Sequence, residues 1–183
     1  MSDNIRQNFR AARRALSKET QREHASAVKN AVGDSFLIRQ ATVIGCYLAS
    51  DGEVDLGPTI KLFWERKIAT AVPNVRADSM SFCAYTKDTD TAESRWGIRE
   101  PIASSTIDSN DLGVVLVPLV AFTDQGQRLG RGRGYYDRMF KSSCRPLLIG
   151  VAHEIQRARK LTTTESDVLL DGVVSENGLV MVP

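Results

Sequence analysis

Three runs of this chain are apolar almost without interruption: Thr42-Val-Ile-Gly-Cys-Tyr-Leu-Ala49, Leu112-Gly-Val-Val-Leu-Val-Pro118 and Leu147-Leu-Ile-Gly-Val-Ala152. A strand wetted on one face alternates apolar and polar residues, whereas a strand lacking that alternation is covered on both faces. Such runs confine the chain to a layered arrangement of sheet and helices. Ile68–Pro73 and Met80–Tyr85 read as two further strands. Leu56–Arg66, between the first strand and these, reads as a helix with Ile60, Phe63 and Trp64 facing inward. The tail, Val173–Val182, resembles a hairpin turning at Asn177-Gly178.

The first thirty residues predict two helices. Ile5, Phe9, Ala12 and Leu16 recur on one face, and Arg6, Arg10 and Arg13 share a neighbouring one. Ser17 suits the N-cap of the second helix, Glu19 its first turn, and Gly33 a stop after Val32. The expected architecture is an α/β single domain over residues 1–183. It is an open, mostly parallel sheet flanked by helices in three Rossmann-like layers, with helices at the N-terminus. The chain's 183 residues suit one domain with one sizeable core.

Composition removes several classes of function. Hydrophobic residues at 42% and charged residues at 25% fit neither a disordered nor a membrane chain. No apolar run approaches the roughly 18 residues that span a bilayer, and Met1-Ser-Asp-Asn-Ile-Arg-Gln lacks a secretory signal. Cys46, Cys83 and Cys144 are too few and scattered for a disulfide framework or a zinc site. A reduced, cytoplasmic protein is expected, and with no long exposed apolar stripe, a monomer. His24, on a polar helix, reads as a surface residue.

The net charge of +2 is unevenly placed. Residues 1–30 carry +4, residues 126–138 carry +3, and the remainder carries −5. That concentration on a near-neutral background favours a local anion site over a broad nucleic-acid surface. Neither nucleic acid nor membrane is an expected partner.

The second basic segment, Gly126-Gln-Arg-Leu-Gly-Arg-Gly-Arg-Gly-Tyr-Tyr-Asp-Arg138, follows a strand and opens into a short helix. Gly130, Gly132 and Gly134 alternate with Arg131 and Arg133. Glycines permit positive φ and can turn backbone N–H groups toward one anion. Guanidinium forks bind phosphate oxygens in pairs, and a helix start adds partial positive charge. The combination suits a polyphosphate, and Asp137 offers a hard oxygen of the kind Mg²⁺ prefers. The spacing is neither the dinucleotide fingerprint nor a Walker A loop. A tight structural connection is the competing reading, and four arginines in thirteen residues weigh against it.

Val117 through Arg138 is similar to the signature of the 5-formyltetrahydrofolate cyclo-ligases, also called methenyltetrahydrofolate synthetases. Weaker blocks follow in the family's order: Arg6 with Arg14-Ala-Leu-Ser17, Leu48-Ala-Ser-Asp-Gly-Glu53, Trp96-Gly-Ile-Arg-Glu-Pro101 and Asp167-Val-Leu-Leu-Asp-Gly-Val-Val174. The resemblance spans nearly the whole chain. It implies that Arg128, Leu129, Gly130, Arg131, Gly132, Arg133, Gly134, Tyr135 and Tyr136 bind ATP, with Arg6 reaching the phosphates. Where the family often carries a lysine four residues before Arg6, this chain has Ser2; Arg10 or another basic residue is then left to compensate. Leu48, Glu53 and Tyr135 match positions at the folate, for which Trp96 offers a flat apolar wall if it is not a core residue, and Asp137 and Asp167 match the magnesium positions, with Asp171 as an alternative to Asp167.

The activity implied is ATP- and Mg²⁺-dependent closure of 5-formyltetrahydrofolate, polyglutamylated or not, to 5,10-methenyltetrahydrofolate. Arg131, Arg133 and Tyr135 are the expected catalytic residues. A nucleic-acid module, an inactive relative and an enzyme for another N-acyl substrate are the competing readings.

Overall fold

In the computed structural model of the protein, all residues are described except Met1, Ala77, Asp78, Arg95, Trp96, Ala103 and Ser143. The chain begins with α1 (Ser2–Arg14), α2 (Lys18–Asp34) and α3 (Phe36–Arg39). Ser17 caps α2 as its side chain predicts, its hydroxyl accepting from the Thr20 N–H at 3.0 Å. Gly33 does not stop this helix, which runs on to Asp34. A Cβ there would lie 2.8 Å from Leu62 Cδ2, and the Gly33 carbonyl accepts from Arg66 at 2.6 Å. The glycine therefore serves close packing against the next helix rather than a left-handed cap.

Next come β1 (Val43–Gly45), α4 (Gly57–Glu65), β2 (Ala69–Arg76) and β3 (Ser79–Tyr85). The short strands β4 (Thr91–Glu93), β5 (Arg99–Pro101) and β6 (Thr106–Ile107) precede β7 (Val114–Pro118). A small hairpin of β8 (Ala121–Phe122) and β9 (Arg128–Leu129) leads to α5 (Tyr135–Met139). The chain ends with β10 (Leu147–Val151), β11 (Gly172–Ser175) and β12 (Gly178–Met181). The closing turn is formed by Glu176 and Asn177, one position earlier than expected, with Gly178 at φ +110° opening β12.

The main sheet has the order β12-β11-β10-β7-β1-β2-β3-β6. The five central strands are parallel, and β12, β3 and β6 pair antiparallel at its edges. The unbroken apolar runs are two interleaved faces. Val114, Leu116, Ile149 and Val151 join one core cluster with Val28 and Val32 of α2 and Ile60 and Phe63 of α4. Val115, Val117 and Leu148 point the other way, to Phe122, Phe140 and Leu170. Each such side chain, fully buried, contributes about 1.5–3 kcal/mol relative to exposure. Helices α2 and α4 thus cover one face, while the β8–β9 hairpin, α5 and the segment before β11 cover the second.

From β1 the chain moves outward to β2, then returns to the opposite side of β1 with β7, β10 and β11. The reversal between β1 and β7 opens a crevice beyond their carboxyl ends, the usual ligand position in open α/β sheets.

Candidate functional site

A cavity of about 880 Å³ occupies that crevice, within the range of small-molecule sites. Tyr47 and Leu48 after β1, Pro73 of β2 and Pro118 of β7 form its floor, and the Gly/Arg loop forms a wall. Every expected site residue that the structure describes lines this one cavity: Arg6, Leu48, Glu53, residues 128–137 and Asp167. Trp96 lies outside the described residues.

The turn after β1 places the acid. Asp51 and Gly52 both take positive φ, +58° and +74°, a backbone strained for aspartate and held only where its surroundings demand it. Arginines supply the demand. Arg13 of α1 is completely buried and donates to the Asp51 carbonyl at 2.8 Å, the Asp51 carboxylate at 2.8 Å and the Leu119 carbonyl at 2.9 Å. Arg10 adds a bond to the same carboxylate at 2.7 Å, and Arg14 also pairs with it. Burial by itself would raise the Asp51 pKa; the hydrogen bonds from Arg10 and Arg14 and the charge of Arg13 outweigh it and hold the carboxyl down at about 2. Arg10 is therefore committed to this turn and does not line the cavity. It is Arg6 that lies across the Gly/Arg loop, its Nε donating to the Gly130 carbonyl at 3.0 Å.

Two residues beyond Asp51, the Glu53 side chain is only 7% exposed. One of its oxygens accepts from the Ser50 N–H at 3.0 Å and the other from Arg131 at 2.9 Å. Arg131 also donates to the Ser50 hydroxyl at 2.6 Å. The acid that faces the cavity and the basic loop thus meet in one ion pair.

The loop itself is shaped by Gly132 and Gly134, at φ +94° and +63°, values that side chains resist. Gly130 does not adopt positive φ, and α5 has five residues, so the arginines dominate the local field. Arg138 lies over the Tyr135 ring at 5.1 Å. Buried Arg128 holds Asp137 Oδ1 at 2.7 Å, and the Val168 N–H reaches the same oxygen at 3.0 Å. Asp167 Oδ2 accepts from the Thr164 N–H at 2.7 Å. Asp171 instead pairs with Arg145 and the Leu148 N–H, and takes no part in the cavity.

Among the described residues, four buried side-chain polar atoms lack a hydrogen-bond partner: Thr59 Oγ1, Glu100 Oε1, Arg128 Nε and Tyr136 Oη. The last three belong to residues lining the cavity. Such atoms cost about 1–3 kcal/mol each when left unpaired, and these three lie enclosed within the cavity's wall. Burial, reinforced by the charge of Glu53, pushes the Tyr136 phenol well above its usual range and keeps it a donor. Glu100 sits in the Trp96–Pro101 block, yet nothing local distinguishes it from an exposed loop acid. Arg13, Ser50 and Asp51 are likewise site-building residues that sequence reasoning missed; Asp51-Gly52 as a turn pair was the available signal.

A switch-point cavity walled by an arginine–glycine loop and faced by a buried carboxylate gives this α/β fold a site chemically suited to a polyanion beside a second polar ligand. A family model described as the 5-formyltetrahydrofolate cyclo-ligase family matches residues 1–176. The chain belongs to that family. It is 31% identical over 174 residues to the 5-formyltetrahydrofolate cyclo-ligase of Escherichia coli K12, covering 91% of this chain and 96% of that protein. The Haemophilus influenzae cyclo-ligase is 30% identical over 173 residues, covering 91% and 92%. The solved structure of the Aquifex aeolicus 5,10-methenyltetrahydrofolate synthetase superposes with a TM-score of 0.88 at 26% identity, covering 99% of this chain and 92% of that one.

Proposed function

We propose that the protein catalyses the ATP- and Mg²⁺-dependent cyclisation of 5-formyltetrahydrofolate, with or without a polyglutamate tail, to 5,10-methenyltetrahydrofolate, ADP and phosphate. The observation that carries this reading is the pairing of Arg131 with Glu53 across one cavity. A basic loop suited to a polyphosphate and an acid suited to a pterin's paired N–H donors there share a single space. Family membership supplies the substrate class.

A formamide carbon is a poor electrophile because nitrogen donates into the carbonyl. The formyl oxygen attacks the γ-phosphorus of ATP, ADP leaves, and an imidoyl phosphate results. N10 then adds to the activated carbon, the C–O bond breaks, and the phosphate departs carrying the proton that N10 gives up. Alignment and charge neutralisation are what a protein contributes to such transfers. Arg131 and Arg133 bind the transferring phosphoryl, Arg6 and the loop backbone hold the rest of the triphosphate, and Leu48, Tyr135 and Glu53 orient the pterin.

Mg²⁺ takes one or two carboxylates together with phosphate and water oxygens. Asp137 and Asp167 border the cavity at the loop. Asp137 Oδ1 is engaged, while Oδ2 lies over Gly134, 3.9 Å from where a Cβ would stand. That donor set fits a nucleotide-bound magnesium, which would supply neutralisation of phosphate charge.

No described helix is long and apolar enough to cross a membrane. The cytoplasm is the proposed setting, and a monomer the proposed unit, since one chain supplies every wall named above. The deciding experiment mixes purified protein with 5-formyltetrahydrofolate and Mg-ATP and follows the absorbance band of the methenyl product. Growth only with all three components establishes the reaction. No product from folded protein moves the assignment to another N-acyl substrate.

A further inference from the structure

We propose that His24, His153 and Glu176 form a binding site for a divalent transition-metal ion of the zinc class, separate from the cavity. The three residues come from α2, from the segment after β10 and from the β11–β12 turn. His24, read from sequence as a surface residue, is instead packed against the fully buried His153.

The geometry is that of a ligand set. His24 Nδ1 lies 2.9 Å from His153 Nδ1 and 3.4 Å from Glu176 Oε2, and one ligand atom from each residue falls within 4.8 Å of the others. Bonds of about 2.0–2.1 Å in a tetrahedron set ligand atoms roughly 3.3 Å apart. To admit an ion, His24 withdraws from His153 by a few tenths of an ångström, and the His153–Glu176 span, within 4.8 Å, closes toward the same separation. Two imidazoles and one carboxylate suit zinc, and three protein ligands leave a fourth position open.

The surroundings prepare the ligands. His153 Nε2 lies 3.1 Å from the Gly52 carbonyl, which can only accept. The proton therefore sits on Nε2, and Nδ1 presents a bare lone pair toward His24. A backbone carbonyl on the far nitrogen is how metal-binding histidines are oriented. Glu176 is fixed by the Glu154 N–H at 2.9 Å, while the Glu154 carboxylate is turned away to Arg157 and Ser175. Without metal, the Nδ1 proton of His24 bridges the set; on metal binding His24 takes the tautomer with its proton on Nε2, and the ion occupies the place the Nδ1 proton held.

An ion here ties three segments together and, through Gly52, grips the turn that carries Glu53. The test uses untagged full-length protein freed of metal with a chelator. Zn²⁺ is titrated calorimetrically, and Co²⁺ is followed by its visible ligand-field bands. The expected result is one equivalent bound, with Co²⁺ bands of a four- or five-coordinate site and a melting midpoint that rises with Zn²⁺. His24→Gln and Glu176→Gln, at partly exposed positions, should each weaken binding at least about tenfold. If one variant fails to fold, the other and the wild-type Co²⁺ spectrum still decide. No saturable binding at tenfold excess of metal overturns the proposal. So does binding that survives both Gln variants and disappears in Cys144→Ser, the exposed thiol being then the ligand.

Discussion

Arg131 donates to the carboxylate of Glu53 across 2.9 Å, joining the loop after β9 to the turn after β1. The pair is asymmetric: Arg131 is about a third exposed, whereas Glu53 is nearly enclosed. A partly wet ion pair contributes about 0–1 kcal/mol, so ligands with more to offer either partner can part it. The enclosed turn keeps its shape through Arg13 and Asp51, and the exposed loop is free of that duty.

Arg131→Ala should therefore lower kcat/KM by about 10²-fold or more, the scale of one lost charge-stabilising donor. Its folding stability should stay within about 0.5 kcal/mol of the parent, as for most surface changes. Steady-state kinetics beside a thermal melt checks both. A variant that unfolds while its native fraction keeps full activity would remove Arg131 from the catalytic set.

Glu53→Gln keeps the shape but removes the charge. Hydrogen bonds to charged groups contribute about 1.5–3 kcal/mol, so the KM for 5-formyltetrahydrofolate should rise by roughly tenfold or more. The KM for ATP should change far less. Equal effects on both substrates would refute the pterin assignment.

Arg13→Met leaves the Asp51 carboxylate with one buried partner fewer, removes the donor to the Asp51 carbonyl and leaves the Leu119 carbonyl with Gln156 as its remaining side-chain donor. Breaking a buried pair in this way costs about 3–5 kcal/mol. Urea unfolding should show the loss as a lower midpoint. A midpoint unchanged from the parent would mean that Arg10 and Arg14 suffice.

Asp51 also sets an acid limb. Its carboxyl is held at about 2 when folded, against 3.8 ordinarily. A folded pKa below the unfolded one contributes stability that is fully present above the unfolded value and is lost as pH falls toward the folded value. The urea midpoint should decline from about pH 4 downward toward pH 2, and Asp51→Asn should flatten that decline while lowering stability at neutral pH.

Tyr136→Phe separates ligand binding from folding. The hydroxyl is buried without a partner, so deleting it should leave stability unchanged or raise it by up to about 1 kcal/mol. Turnover should fall if that hydroxyl meets a ligand. Loss of stability in a melt would reveal an internal partner instead.

Much of this protein can be read along the chain. The apolar runs through Ile44, Leu116 and Ile149 determine a sheet covered on both faces, the condition in which parallel strands are found. The density of arginine and glycine in 126–138 determines a basic, turn-forming loop of the kind suited to an anion, because both the charge and the backbone freedom are local properties. Ser17 determines where α2 begins for the same reason.

Other features exist only once the chain is folded. Arg6, Arg10 and Arg13 are equivalent on a helical wheel, yet Arg6 reaches Gly130, Arg10 reaches Asp51, and Arg13 is entombed among Asp51, Glu53 and Leu119. Gly33 signals a helix end but is consumed by packing on Leu62. Glu100 becomes notable only because its Oε1 ends up buried and unpaired in a residue lining the cavity, and His24 only because α2 lays it on His153. Periodicity and composition are sums over neighbours in sequence. The charge, burial and partners of a side chain depend on groups dozens of positions away, and the packing of helices on the sheet decides which of them meet.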